Sequence, residues 1–152
     1  MEKAALAAAK KGALALSPDL GRVRVFLSWR PGNVNGEAVV GFLRSLRRHL
    51  GAPALLVWDR LGAHQGRLAS DYLAKQRHWL EVEWLPPYAP ELNPLEYLWS
   101  YLDCTDLANL SADDLTQLQA QVWRGARRVR RKSDLAYGFL KHSGLYPELS
   151  LY

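Results

Sequence analysis

The sequence predicts an α/β fold, in which a mostly parallel sheet is flanked by helices and has an antiparallel hairpin at one side. Two observations support this prediction. Short runs typical of strands alternate with longer segments of helical periodicity, which is the pattern of parallel sheets. The 152 residues, of which 49% are hydrophobic and six are Trp, are enough to bury one domain core.

The first half of the chain predicts a hairpin, a helix and a strand. Residues 14–16 and 23–29 are predicted strands, joined by a turn that contains Pro, Asp and Gly. Residues 37–50 repeat apolar side chains at helical spacing after Asn35, a favourable N-cap, and therefore predict a helix. The apolar run Ala54–Trp58 predicts a short buried strand.

The second half predicts a further helix and strand, followed by a proline-rich turn. Residues 66–76 have a helical pattern, and residues 81–85 alternate between apolar and polar side chains. Three prolines between residues 86 and 90 prevent regular structure. Asn93 is then a favourable cap for a helix whose first residue is Pro94.

A strongly basic helix is predicted in the last third of the chain. Ser111 and Asp114 open it, and Leu115, Leu118, Val122 and Val129 form its apolar stripe. Six basic residues crowd its second half and fall mainly off this stripe: Arg124, Arg127, Arg128, Arg130, Arg131 and Lys132. Together with the net charge of +5, they indicate a surface that contacts phosphates. The alternative is a solvated face that suits a helix C-terminus.

Two carboxylates are placed on rigid elements. Asp59 follows the predicted strand at its carboxyl end, where open α/β sheets bind their ligands. Glu96 lies in the first turn of the helix that follows Asn93. Carboxylates in such positions are suited to binding Mg²⁺. Two structural alternatives stay open, because Asp59 can cap the following turn and Glu96 can complete a capping box with Asn93.

These segments together resemble the catalytic half of the DDE transposases of the mariner-like class and their bacterial insertion-sequence relatives. The resemblance depends on Val57-Trp-Asp59, His64, Leu85-Pro-Pro-Tyr-Ala-Pro, Asn93-Pro-Leu-Glu96 and Trp99, which occur in one order. The interval between the two acids is also close to that of the family. The similar region extends over residues 12–146.

The resemblance implies a ribonuclease H-like fold in which three acidic residues hold two divalent ions, Mg²⁺ or Mn²⁺. It implies that Asp59 and Glu96 are catalytic metal ligands and that DNA, in the form of transposon ends, is the partner. Arg60, His64, Tyr88 and the basic helix are the expected DNA contacts. On general grounds His64 can equally be a turn histidine satisfied by backbone groups, and Tyr88 can pack over the prolines instead of stacking on a base.

The first acidic ligand of the family lies on a strand before the hairpin, and no such strand is recognised in this sequence. Residues 1–11 are Ala-rich without a β-branched residue, and we expect them to be an extension outside the family, with residues 147–152 as a tail. The expectation is therefore a truncated catalytic domain that lacks its central first strand. It would hold two of the three catalytic acids and be weak or inactive alone.

Loss of a central strand would leave unpaired strand edges, which favour self-association. The alternative function is a non-catalytic DNA-binding or dimerising remnant that regulates an intact transposase. No apolar run approaches the roughly 18 residues of a membrane span, and no signal peptide is recognised, so we expect a cytoplasmic protein.

Overall fold

The computed structural model describes residues 10–17, 22–29, 33–109 and 115–144. The chain divides into two compact units. The first is centred on Ser28–Ala89, and the second combines Gly12–Leu27 with the residues from Pro90 onward. Among the described residues, no helix has both the length and the apolar character needed to cross a membrane.

Four strands are found in the described ranges, and they form two two-stranded sheets. Strand β1 (Lys10–Ser17) pairs with β2 (Arg22–Trp29). Strand β3 (Ala54–Trp58) pairs in parallel with β4 (Leu80–Trp84). All four predicted strands are confirmed, but β1 begins at Lys10, four residues before its predicted start and within residues 1–11, where no strand was expected. The predicted bounds of β3 are those observed, whereas β4 begins and ends one residue earlier than predicted.

The residues that flank helix α1 (Gly36–Leu50) define where it begins and ends. The Asn35 side chain accepts a hydrogen bond of 2.9 Å from the Ala38 N–H, which satisfies one of the unpaired amides of the first turn. Gly51 ends the helix with φ of +65°, a conformation that glycine adopts without steric cost. The predicted helix and its cap are confirmed.

A short helix that was not predicted, α2 (Gly62–Gln65), follows β3. The helix predicted over residues 66–76 is confirmed as α3 (Arg67–Lys75), with Gly66 and Gln76 as its caps. Gly66 lies between them with φ of −63° and ψ of 155°, an extended conformation that cannot continue a helix. The break places His64 in α2, directly after the turn that follows β3.

The core of the first unit lies on one face of the β3–β4 sheet. Helices α1 and α3 contribute Val39, Leu43 and Ala69, which pack with Trp79 and Leu80. The strand residues packed against this cluster are Ala54, Leu56, Trp58 and Val82.

The opposite face of this sheet is exposed, so the prediction of a buried β3 strand is wrong. Leu55 is 58% exposed and Val57 is 38% exposed. Their partners in the parallel register are Glu81 and Glu83, both exposed. An apolar run predicts burial on both faces of a strand, but α1 and α3 cover only the face that carries the alternate residues.

The second unit contains three longer helices after a short 3₁₀ turn at Pro90–Leu92. They are α4 (Pro94–Thr105), α5 (Leu115–Arg131) and α6 (Ser133–His142). The predicted start of α4 is confirmed, since the Asn93 side chain accepts a 3.1 Å hydrogen bond from the Leu95 N–H. The predicted opening of α5 at Ser111 and Asp114 lies outside the described residues.

Helix α6 was not predicted from the sequence. Its apolar residues nevertheless have helical spacing, and Ala136, Phe139 and Leu140 are buried. They pack with Val25 of β2, Leu98 and Leu102 of α4, and Val129 of α5.

Helices α4 and α5 approach closely at Gly125. A Cβ atom at this position would lie 2.6 Å from Oδ2 of Asp106 and 2.6 Å from Cδ2 of Leu102. Both distances are far below ordinary van der Waals contact. A residue without a side chain is therefore required here for packing.

Replacing Gly125 by Ala should destabilise the protein, because the added methyl group has no space. We expect the free energy of unfolding to fall by about 1–3 kcal/mol from overpacking, partly offset by roughly 1 kcal/mol of improved helix propensity. Urea denaturation followed by circular dichroism measures the change.

Gly138→Ala in α6 is the matched control, since a Cβ there would meet nothing within 4 Å. This variant should gain up to about 1 kcal/mol from helix propensity alone. A Gly125→Ala protein as stable as Gly138→Ala would contradict the close approach of α4 and α5.

Candidate functional site

Asp59 lies at the carboxyl end of β3 and its side chain is 43% exposed. Its Oδ1 accepts a hydrogen bond of 3.1 Å from the Leu61 N–H, so the carboxylate caps the turn that leads to α2. This is the structural alternative considered for Asp59. Capping does not exclude a ligand role, because a carboxylate has two oxygens with about four lone-pair positions.

His64 is buried at 5% exposure and packs directly against Asp59. Its Nδ1 lies 2.6 Å from Oδ1 of Asp59 and 3.3 Å from the Asp59 carbonyl oxygen. The ring stacks on Trp58 with centroids 3.9 Å apart, and Trp58 in turn stacks on Trp84. The predicted contact between His64 and DNA stays a prediction, and the buried ring offers little surface for it.

Arg60 connects the end of β3 to the segment that follows β4. Its Nε donates a 3.0 Å hydrogen bond to the carbonyl oxygen of Leu85, and the Leu85 N–H donates to Trp58 at 2.7 Å. These bonds extend the link between the two parallel strands by one residue. Arg60 is an exposed residue with this structural contact, and its contact with DNA remains a prediction.

Tyr88 is fully exposed in the proline-rich turn. Its φ of +58° is the only positive value found for a residue other than glycine in the described part of the chain. Such a conformation costs of order 1–3 kcal/mol for a residue with a Cβ. The exposure shows that the ring does not pack over the neighbouring prolines, so this alternative for Tyr88 is wrong.

Glu96 lies in the first turn of α4, in the second unit, and is exposed. Its N–H donates a 3.0 Å hydrogen bond to the carbonyl of Asn93, and the Asn93 N–H donates to the Pro90 carbonyl at 3.0 Å. The start of the helix is therefore fixed by backbone bonds as well as by the Asn93 cap. A negative charge here also interacts favourably with the helix dipole.

The donor chemistry of Asp59 and Glu96 fits a hard divalent cation such as Mg²⁺, which prefers carboxylate oxygens. Within residues 10–17, 22–29, 33–109 and 115–144, no group of three or more His, Cys, Asp or Glu side chains is arranged to hold a metal ion.

Arg128 on α5 is paired with a buried carboxylate in the same unit. Its guanidinium donates to Oδ1 of Asp106 at 2.9 Å and to Oγ1 of Thr105 at 3.1 Å. Asp106 is only 8% exposed, and its hydrogen bond with Arg128 raises the pKa of the Arg128 guanidinium. This pair joins α5 to the end of α4 and leaves Arg128 a poor candidate for binding phosphates.

The partner of Arg128 was missed in the sequence because the two residues come from different helices. The spacing of Asp106 and Arg128 along the chain has no period that would indicate a contact. An acidic residue at the end of one helix and an arginine on another gave no signal that distinguished this pair from solvated charges.

Three other arginines of α5 share its outer face. Arg124, Arg127 and Arg131 are exposed and are spaced three and four residues apart, which places them on one side of a helix. Arg130 donates from Nε to the Val25 carbonyl at 3.0 Å, and Lys132 is exposed just after the helix. The arginines at 124, 127 and 131 are called the basic face below.

The sequence of the chain matches a known family. Residues 14–119 match the model of the DDE superfamily endonuclease family, and because this is more than half of the chain, the chain belongs to that family. The family resemblance inferred from the sequence is confirmed. Asp59, His64 and Glu96 lie inside the matched range, whereas the basic face lies beyond it. No curated protein matched the chain.

The fold is similar to that of solved Mos1 transposase structures. The catalytic domain of Mos1 mariner transposase aligns with a TM-score of 0.52 and 19% identity over 91% of this chain and 81% of that chain. The Mos1 catalytic domain with raltegravir and Mg aligns with a TM-score of 0.50 and 18% identity over 91% and 84% of the two chains. The ribonuclease H-like α/β prediction is confirmed.

A Mos1 paired-end complex with the left transposon end aligns with a TM-score of 0.52 and 18% identity over 87% of this chain. The alignment covers 47% of the transposase chain in that complex. The present chain thus spans less than half the length of the transposase found in the paired-end complexes.

Replacing the basic face by alanine should weaken binding to duplex DNA of any sequence. In the triple variant Arg124→Ala, Arg127→Ala, Arg131→Ala, the slope of log affinity against log salt should become shallower by up to about 3, since each phosphate contact contributes about 0.9. Fluorescence anisotropy at several salt concentrations measures both quantities.

A second triple variant removes the same charge from exposed arginines of the first unit: Arg48→Ala, Arg67→Ala, Arg77→Ala. It should change affinity and slope much less than the first. Equal effects of the two variants would mean that the basic face acts only through net charge.

Proposed function

We propose that this chain is the catalytic part of a DDE transposase and acts on DNA in metal-dependent strand cleavage and strand transfer. The observation that carries the proposal is the family match over residues 14–119, which includes both predicted acids. Asp59 follows a parallel strand and Glu96 begins a capped helix, as expected of side chains held on rigid elements. The Mos1 structures with a transposon end and with Mg support DNA and a divalent cation as the ligands.

In this proposal Asp59 and Glu96 are metal ligands and carry no proton in the reaction. A bound divalent cation would supply activation of a water or a 3′-hydroxyl group and stabilisation of the leaving oxygen. The chain itself supplies the ionised oxygens and fixes them, through the turn hydrogen bond to Asp59 and the helix start at Glu96. Two carboxylates without further protein ligands would hold a divalent cation weakly.

The DNA would contact the exposed basic groups of the chain. The basic face offers charges for phosphates, which give affinity without reading the sequence. Tyr88 offers an exposed aromatic ring for stacking on a nucleobase, and its strained backbone is consistent with a functional position.

A second candidate function is non-catalytic DNA binding that regulates an intact transposase. The observation in its favour is that the basic face lies outside the family match, which contains both acids. This function requires DNA binding and no metal-dependent cleavage. A cleavage assay therefore separates it from the first proposal.

Mn²⁺ binding tests the ligand roles of the two acids. Asp59→Asn and Glu96→Gln should each abolish the weak binding of the unmodified chain, because each removes an anionic oxygen ligand. Electron paramagnetic resonance of free Mn²⁺ measures the binding. Asp71→Asn and Glu37→Gln are matched controls on exposed helix positions and should bind Mn²⁺ as the unmodified chain does.

Nicking of supercoiled DNA in Mg²⁺ or Mn²⁺ tests the reaction. We expect slow nicking that both acid variants lose while they still bind DNA. DNA binding without nicking by the unmodified chain would favour the regulatory function. Unchanged Mn²⁺ binding in both acid variants would mean that Asp59 and Glu96 have only structural roles, as caps of a turn and of a helix.

A further inference from the structure

His64 and Asp59 make a short contact immediately after β3. His64 Nδ1 lies 2.6 Å from Asp59 Oδ1, with the histidine buried and the carboxylate partly exposed. An ionised carboxylate can only accept hydrogen bonds, so the shared proton is on Nδ1. The contact is therefore an Nδ1–H donating to Oδ1, whatever the state of the other ring nitrogen.

The histidine ring is also held in place by contacts other than the Asp59 carboxylate. One face of the ring stacks on Trp58 at an interplanar angle of 26°, and Trp58 stacks on Trp84 across the parallel strands. The His64 backbone N–H donates to the Leu61 carbonyl at 2.8 Å, which fixes the short helix that carries the ring. Nδ1 is therefore a preplaced donor whose position is set by packing.

The Leu61 N–H and the His64 Nδ1–H converge on the same oxygen of Asp59. The Leu61 bond is 3.1 Å long and comes from a turn that is exposed to solvent. The His64 bond is shorter and comes from a buried ring. The histidine therefore contributes the more rigid of the two bonds that select the carboxylate rotamer.

We infer that His64 is a positioning residue that holds the Asp59 carboxylate in the orientation required for binding a divalent metal. The inference depends on the proposed function of Asp59 as a ligand. Residues that do not touch the metal ion can orient a metal ligand by hydrogen bonds. Loss of these hydrogen bonds commonly weakens metal binding. A direct DNA contact explains neither the burial of the ring nor its bond to Asp59.

Mn²⁺ affinity of three histidine variants tests this role. His64→Leu removes the donor and should weaken Mn²⁺ binding about 10-fold. His64→Asn places an amide N–H near the position of Nδ1 and should restore the affinity to within about threefold of the unmodified chain. His49→Leu removes an exposed histidine on α1 and should leave the affinity unchanged.

A measurement without metal tests the contact itself. Nitrogen-15 NMR of the unmodified chain should show His64 protonated at Nδ1, with a proton that exchanges slowly with water. The slow exchange should be lost in Asp59→Ala. This measurement, with the His64→Asn variant, still decides the inference if His64→Leu does not fold.

The possible failures are distinguishable. A His64 ring protonated at Nε2 alone, or full Mn²⁺ affinity in folded His64→Leu, would overturn the positioning role and leave the ligand role of Asp59 intact. Failure of folded His64→Asn to restore affinity would also overturn it. Absence of Mn²⁺ binding by the unmodified chain, with the Nδ1 proton present, would overturn the proposed metal function and the positioning role with it.

Discussion

The parallel pairing of β3 with β4 is the interaction on which the candidate site depends. The register places Trp58 beside Trp84, so that two indole rings stack at the ends of neighbouring strands. The strand pairing continues through the bond between Leu85 and Trp58, and Arg60 closes over it by donating to Leu85. Because the strands run in the same direction, their carboxyl ends lie together, and Asp59 leaves the sheet from this reinforced edge.

The second unit depends in a similar way on a buried charge. Asp106 is nearly inaccessible to solvent, and a buried carboxylate is stable only when it is paired and hydrogen-bonded. Arg128 meets this need and draws α5 against α4, while Gly125 allows the close approach. Arg128 and Arg130, which donates to the Val25 carbonyl, are thus used for folding, whereas Arg124, Arg127 and Arg131 keep their exposure. The basic residues of α5 thus fall into two groups, those that form structural contacts and those that remain exposed at the surface.

Local chemistry explains which parts of the fold could be predicted from the sequence. The caps at Asn35 and Asn93 depend on residues two or three positions away, so the chain itself specifies them. The bounds of β3 follow from its apolar composition and from the turn residues beside it.

The features that could not be predicted are those that depend on residues distant in the sequence or on which elements cover a surface. The exposed face of β3 depends on which helices cover the sheet, and no local pattern contains that information. Helix α2 was not predicted, because its four residues are too few to show a helical period in the sequence. The candidate site follows the same rule, because the position of Asp59 was predicted whereas its bond to His64 and the pairing of Arg128 with Asp106 required the folded structure.

The structural and functional interpretations of Asp59 are compatible. A metal ligand must be held in one orientation, and a carboxylate that caps a turn is held in this way. The hydrogen bond from Leu61 and the contact with His64 supply this orientation at one oxygen of the group. The hydrogen bonds that make Asp59 a cap at the end of β3 therefore also fix its orientation as a candidate ligand. A turn-capping carboxylate at the end of a parallel strand can therefore be a candidate metal ligand because of its structural role.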